Sequence, residues 1–202
     1  MALFGRRLRV PAGLRGLLAP DERLLAMAED GPAAVAATQF GLWLPVGPAS
    51  VVAEPVGPGS VVVEPVVDQA EPASAAPGWR RIGWEHVVKA TWGEDGLQVI
   101  EGVLDDAGVV TDLPALTLRL AEPRNLPAVV KTRVEASIAR WEQVRVPGGT
   151  GRVVARRRTG MDGLLWTARL DSGTPDSDTA RAALLDYLDR VARQTSDQPI
   201  PS

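Results

Sequence analysis

Hydrophobic and polar positions alternate with a period of two through the middle of the chain, then switch to a period near 3.6. Residues 33–44 are small and β-compatible, and Phe40, Leu42 and Leu44 fall on one strand face. Residues 79–92 predict a second strand. Ile82, Trp84, His86, Val88, Ala90 and Trp92 share one side of it. Arg81, Glu85, Lys89 and Thr91 share the other, with Val87 intruding. Gly93-Glu94-Asp95-Gly96 is turn chemistry, as is Asp105-Asp106-Ala107-Gly108. Between and after them, residues 97–103 and 111–120 read as further strands, the last aligning Leu116, Leu118 and Leu120. Short strands with a turn about every ten residues describe an antiparallel meander.

The helical period begins at residues 127–144, where Val130, Val134, Ile138 and Trp141 form one stripe. Asn125 is placed to cap this helix, and Pro127 suits its first turn. Residues 146–151 end it. A hairpin follows, with arms at 152–158 and 164–170 around a turn at 159–163. Leu164, Trp166, Ala168 and Leu170 share a face of the second arm. Thr174 before Pro175 has the order of a cap and first helical residue, with Asp176 and Asp178 in the dipole-favoured first turn. Ala180, Leu184, Tyr187, Leu188 and Val191 form the buried stripe of this last helix. The basic N-terminal stretch 8–18, broken by Pro11 and Gly13, predicts a small helix docked on the sheet. The fold class is therefore α+β: an antiparallel meander closed by a helix, then a β-hairpin and a C-terminal helix.

Residues 45–78 break the pattern. They hold seven prolines and no aromatic residue, and their only charges are Glu54, Glu64, Asp68 and Glu71. A decapeptide beginning at Val46 and ending at Pro55 is repeated from Val56 to Pro65, with eight of ten positions matching. Two copies of ten are too few to build a solenoid core. Proline at this density predicts an extended, largely disordered insertion.

Composition narrows the chemistry. There is no cysteine and a single histidine, His86, in 202 residues. Disulfides, thiolate nucleophiles, cysteine-held metals and multi-histidine sites are thereby excluded. The net charge of −3 sets the chain apart from nucleic-acid coat proteins. Arginine, proline and glycine interrupt every apolar run near the N-terminus, and no stretch approaches the ~20 residues of a membrane span. The expected compartment is the cytoplasm. Alanine, valine, glycine, proline and arginine abound, as high-GC coding bias produces, so arginine content alone is no functional signal.

Three short segments carry a family resemblance. Residues 14–26 contain Pro20-Asp21-Glu22 followed by Leu25-Ala26, residues 37–43 read Ala-Thr-Gln-Phe-Gly-Leu-Trp, and residues 81–88 read Arg-Ile-Gly-Trp-Glu-His-Val-Val. Together they resemble a bacterial pleckstrin-homology-like (PH-like) module. Residues 126–137 and 152–157 are similar to the rest of a protein family from high-GC Gram-positive (actinobacterial) bacteria. The resemblance implies a PH-like module formed by residues 1–44 and 79–146, interrupted by the insertion at 45–78. Residues 147–202 then append a hairpin and a helix. The resemblance implies a fold; it carries no activity and no cofactor with it. PH-like modules bind phosphoinositides or peptides.

His86 lacks a G-x-S-x-G partner motif and sits at the edge of an apolar face. Gly148-Gly149-Thr150-Gly151 follows a helix and precedes a strand, the reverse of a phosphate cradle, and lacks the P-loop lysine. The acid pairs Glu94/Asp95 and Asp105/Asp106 belong to turns. Residues 122–160 hold nine basic and three acidic side chains, and Arg152, Arg156, Arg157 and Arg158 cluster on one hairpin arm. That arm suits either phosphate oxygens or a solvated edge strand. Trp84, Trp92, Trp141 and Trp166 fall on apolar stripes and are expected in the core, while Trp43 and Trp79 flank the insertion and are expected to be less buried. With no catalytic set and no cofactor or metal motif, the expected function is a non-catalytic binding or adaptor module with a protein partner. The alternative is peripheral binding of anionic lipid or nucleic acid through Arg152, Arg156, Arg157 and Arg158. An enzyme ranks third.

Overall fold

A computed structural model describes residues 9–30, 33–46, 52–53, 78–120 and 122–196. The chain opens with a one-turn helix, α1 (Ala12–Arg15), and three strands, β1 (Leu24–Asp30), β2 (Ala33–Thr38) and β3 (Gly41–Val46). A two-residue strand, β4 (Val52–Ala53), precedes β5 (Gly78–Gly83), a 3₁₀ turn (Trp84–His86), β6 (Val87–Gly93) and β7 (Gly96–Leu104). Then come β8 (Val110–Asp112), β9 (Leu116–Leu118) and helix α2 (Leu126–Ser137). The chain continues through β10 (Ile138–Val146), β11 (Gly149–Arg157) and β12 (Leu164–Leu170) to helix α3 (Asp178–Ser196).

The architecture is α+β. The first sheet runs β1-β2-β3-β5, the second β4-β9-β7-β6 with β8 also on β7, and the third β10-β11-β12. All of these strand pairings are antiparallel; one isolated parallel bridge joins Val109 to Ala168. Alternation along β1 to β3 explains how both faces of the first sheet are covered. Ala26, Ala28, Val35, Ala37, Leu42 and Leu44 point inward to the main core. Met27, Ala36 and Trp43 point outward, where α1 inserts fully buried Leu14. The inner core also takes Leu97 and Val99 from β7 and Leu126 and Val130 from α2, so helix and second sheet close over the first. In the third sheet Val153 and Ala168 pack under Ala180, Leu184 and Leu188 of α3, as the last helix's stripe predicts.

Several expectations are corrected. The strand expected over 79–92 is broken by the 3₁₀ turn at Trp84–His86, where the chain passes from the first sheet to the second. Three residues of tighter helix shift the alternation, so Val87, not Val88, is fully buried. The helix expected over 127–144 stops at Ser137, because Ile138–Val146 pairs along β11 as a strand. Its stripe of Val130 and Val134 is helical, but Ile138 and Trp141 belong to a sheet. The expected hairpin is thus the second half of a three-stranded sheet. Pro147-Gly148 forms its first turn, with Gly148 at φ +83°, a conformation glycine supplies without strain. Thr174 does not cap α3. Its hydroxyl donates to the Thr150 carbonyl (2.8 Å) and accepts from the Thr150 amide (3.0 Å), while Ser177 Oγ accepts from Ala180 N at 3.3 Å as the cap. Asn125 flanks α2 without a side-chain capping bond. Trp92 and Trp141 are exposed, whereas Trp43 is buried.

The insertion expected at 45–78 lies outside the described residues, apart from Pro45, Val46, Val52, Ala53 and Gly78. There the ladder reaches into both ends of it, pairing Pro45 with Trp79 and Val46 with Gly78. Among the described residues, no helix is long and apolar enough to cross a membrane.

Candidate functional site

Glu22, Thr38, Trp43, Arg81 and Trp84, far apart in sequence, meet in one polar network around a buried carboxylate. Glu22 has a side chain with no solvent exposure. Its Oε1 accepts from Thr38 Oγ1 (2.6 Å) and from Trp43 Nε1 (2.8 Å). Its Oε2 accepts from the Ala19 amide (3.2 Å) and from Arg81 Nη1 (3.4 Å). Arg81 also lies over the Trp43 ring at 5.7 Å. Trp84 Nε1 donates to the Thr38 carbonyl at 3.0 Å. Every acceptor position of the carboxylate is engaged by this chain itself. The network ties the connection between α1 and β1 to the β2–β3 turn, β3 and β5, which is an architectural role.

A concavity lies elsewhere, between the second and third sheets. A cleft of about 210 Å³ opens there. Its first wall is built by Val88 of β6, Gly102 and Leu104 of β7 and Val110 of β8. A Cβ on Gly102 would stand 2.5 Å from Val110 Cγ1 and 2.7 Å from Val88 Cγ2, so glycine lets the two valines close the wall. The opposite wall is the face of the third sheet turned away from α3. On β11 the two-residue period sends Val153 toward α3 and Arg152, Val154 and Arg156 into the cleft. On β12 it sends Thr167 and Arg169 the same way. Trp141, paired across the strands with Val154, stands in the cleft with 60% of its surface exposed.

The three arginines of this wall are held differently. Arg152 Nε bridges Asp171 Oδ1 at 2.9 Å, and Arg169 Nη2 bridges Asp112 Oδ2 at 2.7 Å. Arg156 is only 7% exposed. Its Nη1 donates to Ser137 Oγ (2.9 Å) and to the Trp84 carbonyl (3.5 Å). No carboxylate of the described residues lies within salt-bridge distance of it, and its Nε and Nη2 make no hydrogen bond to them. Burial pushes the Arg156 pKa down, and the charge of Glu85 works against that shift. Glu85 lines the cleft beside His86, whose Nε2 lies 4.0 Å from Glu85 Oε1. Burial opposes ionisation of Asp171, but hydrogen bonds from Thr150 and Gln143 and the charges of Arg152 and Arg169 outweigh it and hold its carboxyl below the ordinary value. Burial raises the Asp112 carboxyl, with Arg169 opposing.

The expected arginine cluster is therefore split by the strand's own alternation. Arg152 and Arg156 line the cleft. Arg157 is exposed, on the face of alternation opposite Arg156, and donates to the Ala136 carbonyl at 3.4 Å. Arg158 is half-buried, and its Nε has no hydrogen-bond partner among the described residues. Sequence reasoning missed Arg169, Glu85 and Trp141 as cleft residues, since nothing local shows that two sheets stack there. Asp105 belongs to its turn, accepting from the Ala107 and Val109 amides at 3.1 and 2.8 Å. Among the described residues no cluster of three or more His, Asp or Glu side chains is placed to hold a metal ion. No protein-family model matches this sequence, no curated protein matches it, and no solved structure matches its fold.

Proposed function

We propose that this chain is a non-catalytic, cytoplasmic binding module whose residues 1–44 and 79–146 form a PH-like unit, and that it recognises a protein partner in the cleft. The observation that carries the reading is the cleft itself: apolar walls, an exposed tryptophan and a buried arginine in one concavity. Tryptophan and arginine are the residue types that dominate binding energy at protein interfaces. Junctions between packed units are where such sites recur. The PH-like assignment is supported by the element order, a four-stranded sheet, a further set of strands and then one helix packed on their core; membership of the actinobacterial family rests on the sequence resemblance alone.

The non-catalytic part is supported by how the nearby hydroxyl is spent. Ser137 Oγ donates to the Val134 carbonyl (2.7 Å) while accepting from Arg156, and the residue is buried. The alternative reading, an anionic lipid or nucleic acid held by Arg152, Arg156, Arg157 and Arg158, draws less support because these four side chains do not form one surface.

A photocrosslinking amino acid at position 141, expressed in the native cells, tests the proposal against the same label at exposed Trp92, outside the cleft. Discrete protein adducts from position 141 alone are expected. Identical patterns from both positions, or adducts of lipid or nucleic acid only, would overturn it.

A further inference from the structure

We infer that Arg156 is an anchor for a carboxylate, and that the cleft takes an aliphatic group ending in one. The inference deepens the cleft reading above and rests on it. Arg156 is a buried cation whose only hydrogen-bond partners among the described residues are a neutral hydroxyl and a neutral carbonyl, both on Nη1. The same wall supplies carboxylates to its two neighbours, Asp171 to Arg152 and Asp112 to Arg169. The buried arginine is the one left without such a bridge. A guanidinium presents a planar fork whose geometry matches a carboxylate in two parallel bonds. Nε and Nη2 form one side of that fork, and neither is used internally.

The surroundings fix the rest of the ligand. Val88, Leu104, Val110 and Val154 offer an aliphatic lining. About 210 Å³ is below the ~300–1,000 Å³ of sites for drug-sized molecules. One aliphatic chain or one side chain fits that volume; a nucleotide does not. Glu85 faces the same space and acts on Arg156 through its charge. It is the resident competitor of an incoming carboxylate, so its neutralisation strengthens binding. A purely structural Arg156 would give no such sign.

Sodium hexanoate, with hexanol and hexylammonium as same-length controls, tests this on the full chain. The readout is the NMR signal of the Arg156 Nε–H, with that of the cleft-lining Trp141 indole N–H serving for Arg156→Gln. Hexanoate is expected to shift it at millimolar concentration, and the two controls are not. Arg156→Gln weakens hexanoate binding at least about tenfold, the loss of a charge-assisted hydrogen bond. Glu85→Gln strengthens it several-fold, and Glu85 takes no part in the Arg156 bonds to Ser137 and Trp84. Equal binding of hexanol and hexanoate, no shift with any probe, or weaker binding in Glu85→Gln would each overturn the anchor. A short peptide with an aliphatic last residue, carrying a free or an amidated C-terminus, separates the sources. Tighter binding of the free-acid peptide than of hexanoate, lost on amidation, assigns the carboxylate to a partner's chain end. Binding of hexanoate but not of the peptide upholds the anchor and sinks the protein-partner reading.

Discussion

Replacing Glu22 should destabilise the first unit out of proportion to a single surface-type residue. The carboxylate receives four donors, two on each oxygen. In Glu22→Gln one oxygen becomes an amide that can only donate. The cheaper orientation turns the amide toward Ala19 and Arg81, because the Arg81 side chain is 44% exposed and can reach water. The Ala19 amide then loses its acceptor, at about 1–3 kcal/mol. The bonds from Thr38 and Trp43 persist but lose their charge assistance, about 1 kcal/mol each. Relief from burying a charge offsets part of this. The net expectation is a loss of about 3 kcal/mol, or roughly 6–12 °C in melting temperature for a chain this long. Glu22→Ala should cost about 4–5 kcal/mol, since the Trp43 indole is stranded as well and only Thr38 keeps another acceptor, the Gly41 carbonyl at 3.2 Å. Urea unfolding followed by tryptophan fluorescence reads both, because Trp43 and Trp84 lie in the network. A double-mutant cycle with Thr38→Val should return a coupling of about 0.5–3 kcal/mol. A Glu22→Gln protein within about 0.5 kcal/mol of wild type, or a cycle with no coupling, would refute the network as a structural tie.

Other outcomes are expected from the same geometry. Gly102→Ala should crowd Val88 and Val110, cost about 1–3 kcal/mol and narrow the cleft, checked by thermal denaturation and by hexanoate titration. Ser177→Ala should cost about 0.5–2 kcal/mol through the lost α3 cap, as measured by urea unfolding. Thr174→Val should destabilise by severing the paired bonds to Thr150, also measured by urea unfolding. The Asp171 carboxyl is held below its unfolded value, so its stabilising contribution is complete above the unfolded pKa of about 4 and is lost as pH falls through the lower folded value. Asp171→Asn should therefore flatten the acid limb of the stability profile below about pH 4, and an unchanged acid limb would contradict the assignment.

If the cleft binds a partner, the two sheets that form it must hold their spacing. The Val109–Ala168 bridge and the Ala168 amide donating to the Gly108 carbonyl at 3.0 Å join β12 to the chain just before β8. At the other end Arg156 reaches across to the Trp84 carbonyl, and Ser137 closes the loop between α2 and β11. The groups that would meet the ligand are thus also groups that fix the walls. This is why the length-matched ligand controls and Glu85→Gln matter more than Arg156→Gln alone.

Where periodicity is strong and one partner covers one face, local sequence determined the outcome. The stripe of α3, the alternation of Leu164–Leu170 and the small helix at the N-terminus are all present, and the turns at 93–96 and 105–108 fall where glycine and aspartate put them. Residues 138–146 show the limit. Their apolar spacing satisfies a helix through Ile138 and Trp141 and a strand through Val144 and Val146, and only pairing with β11 settles it. The 3₁₀ turn at Trp84–His86 interrupts an alternation that is unbroken on paper, because the break is imposed by the chain changing sheets. Trp43 and Trp141 exchange their expected places for the same reason. Trp43 is covered by α1 packing on the outside of the first sheet, while Trp141 looks into a space that no element of the described residues fills. Arg156 reads as a solvated charge on an edge strand until the second sheet is laid over it. Periodicity tells which side chains share a face; what covers that face is decided by topology, which the local pattern does not contain.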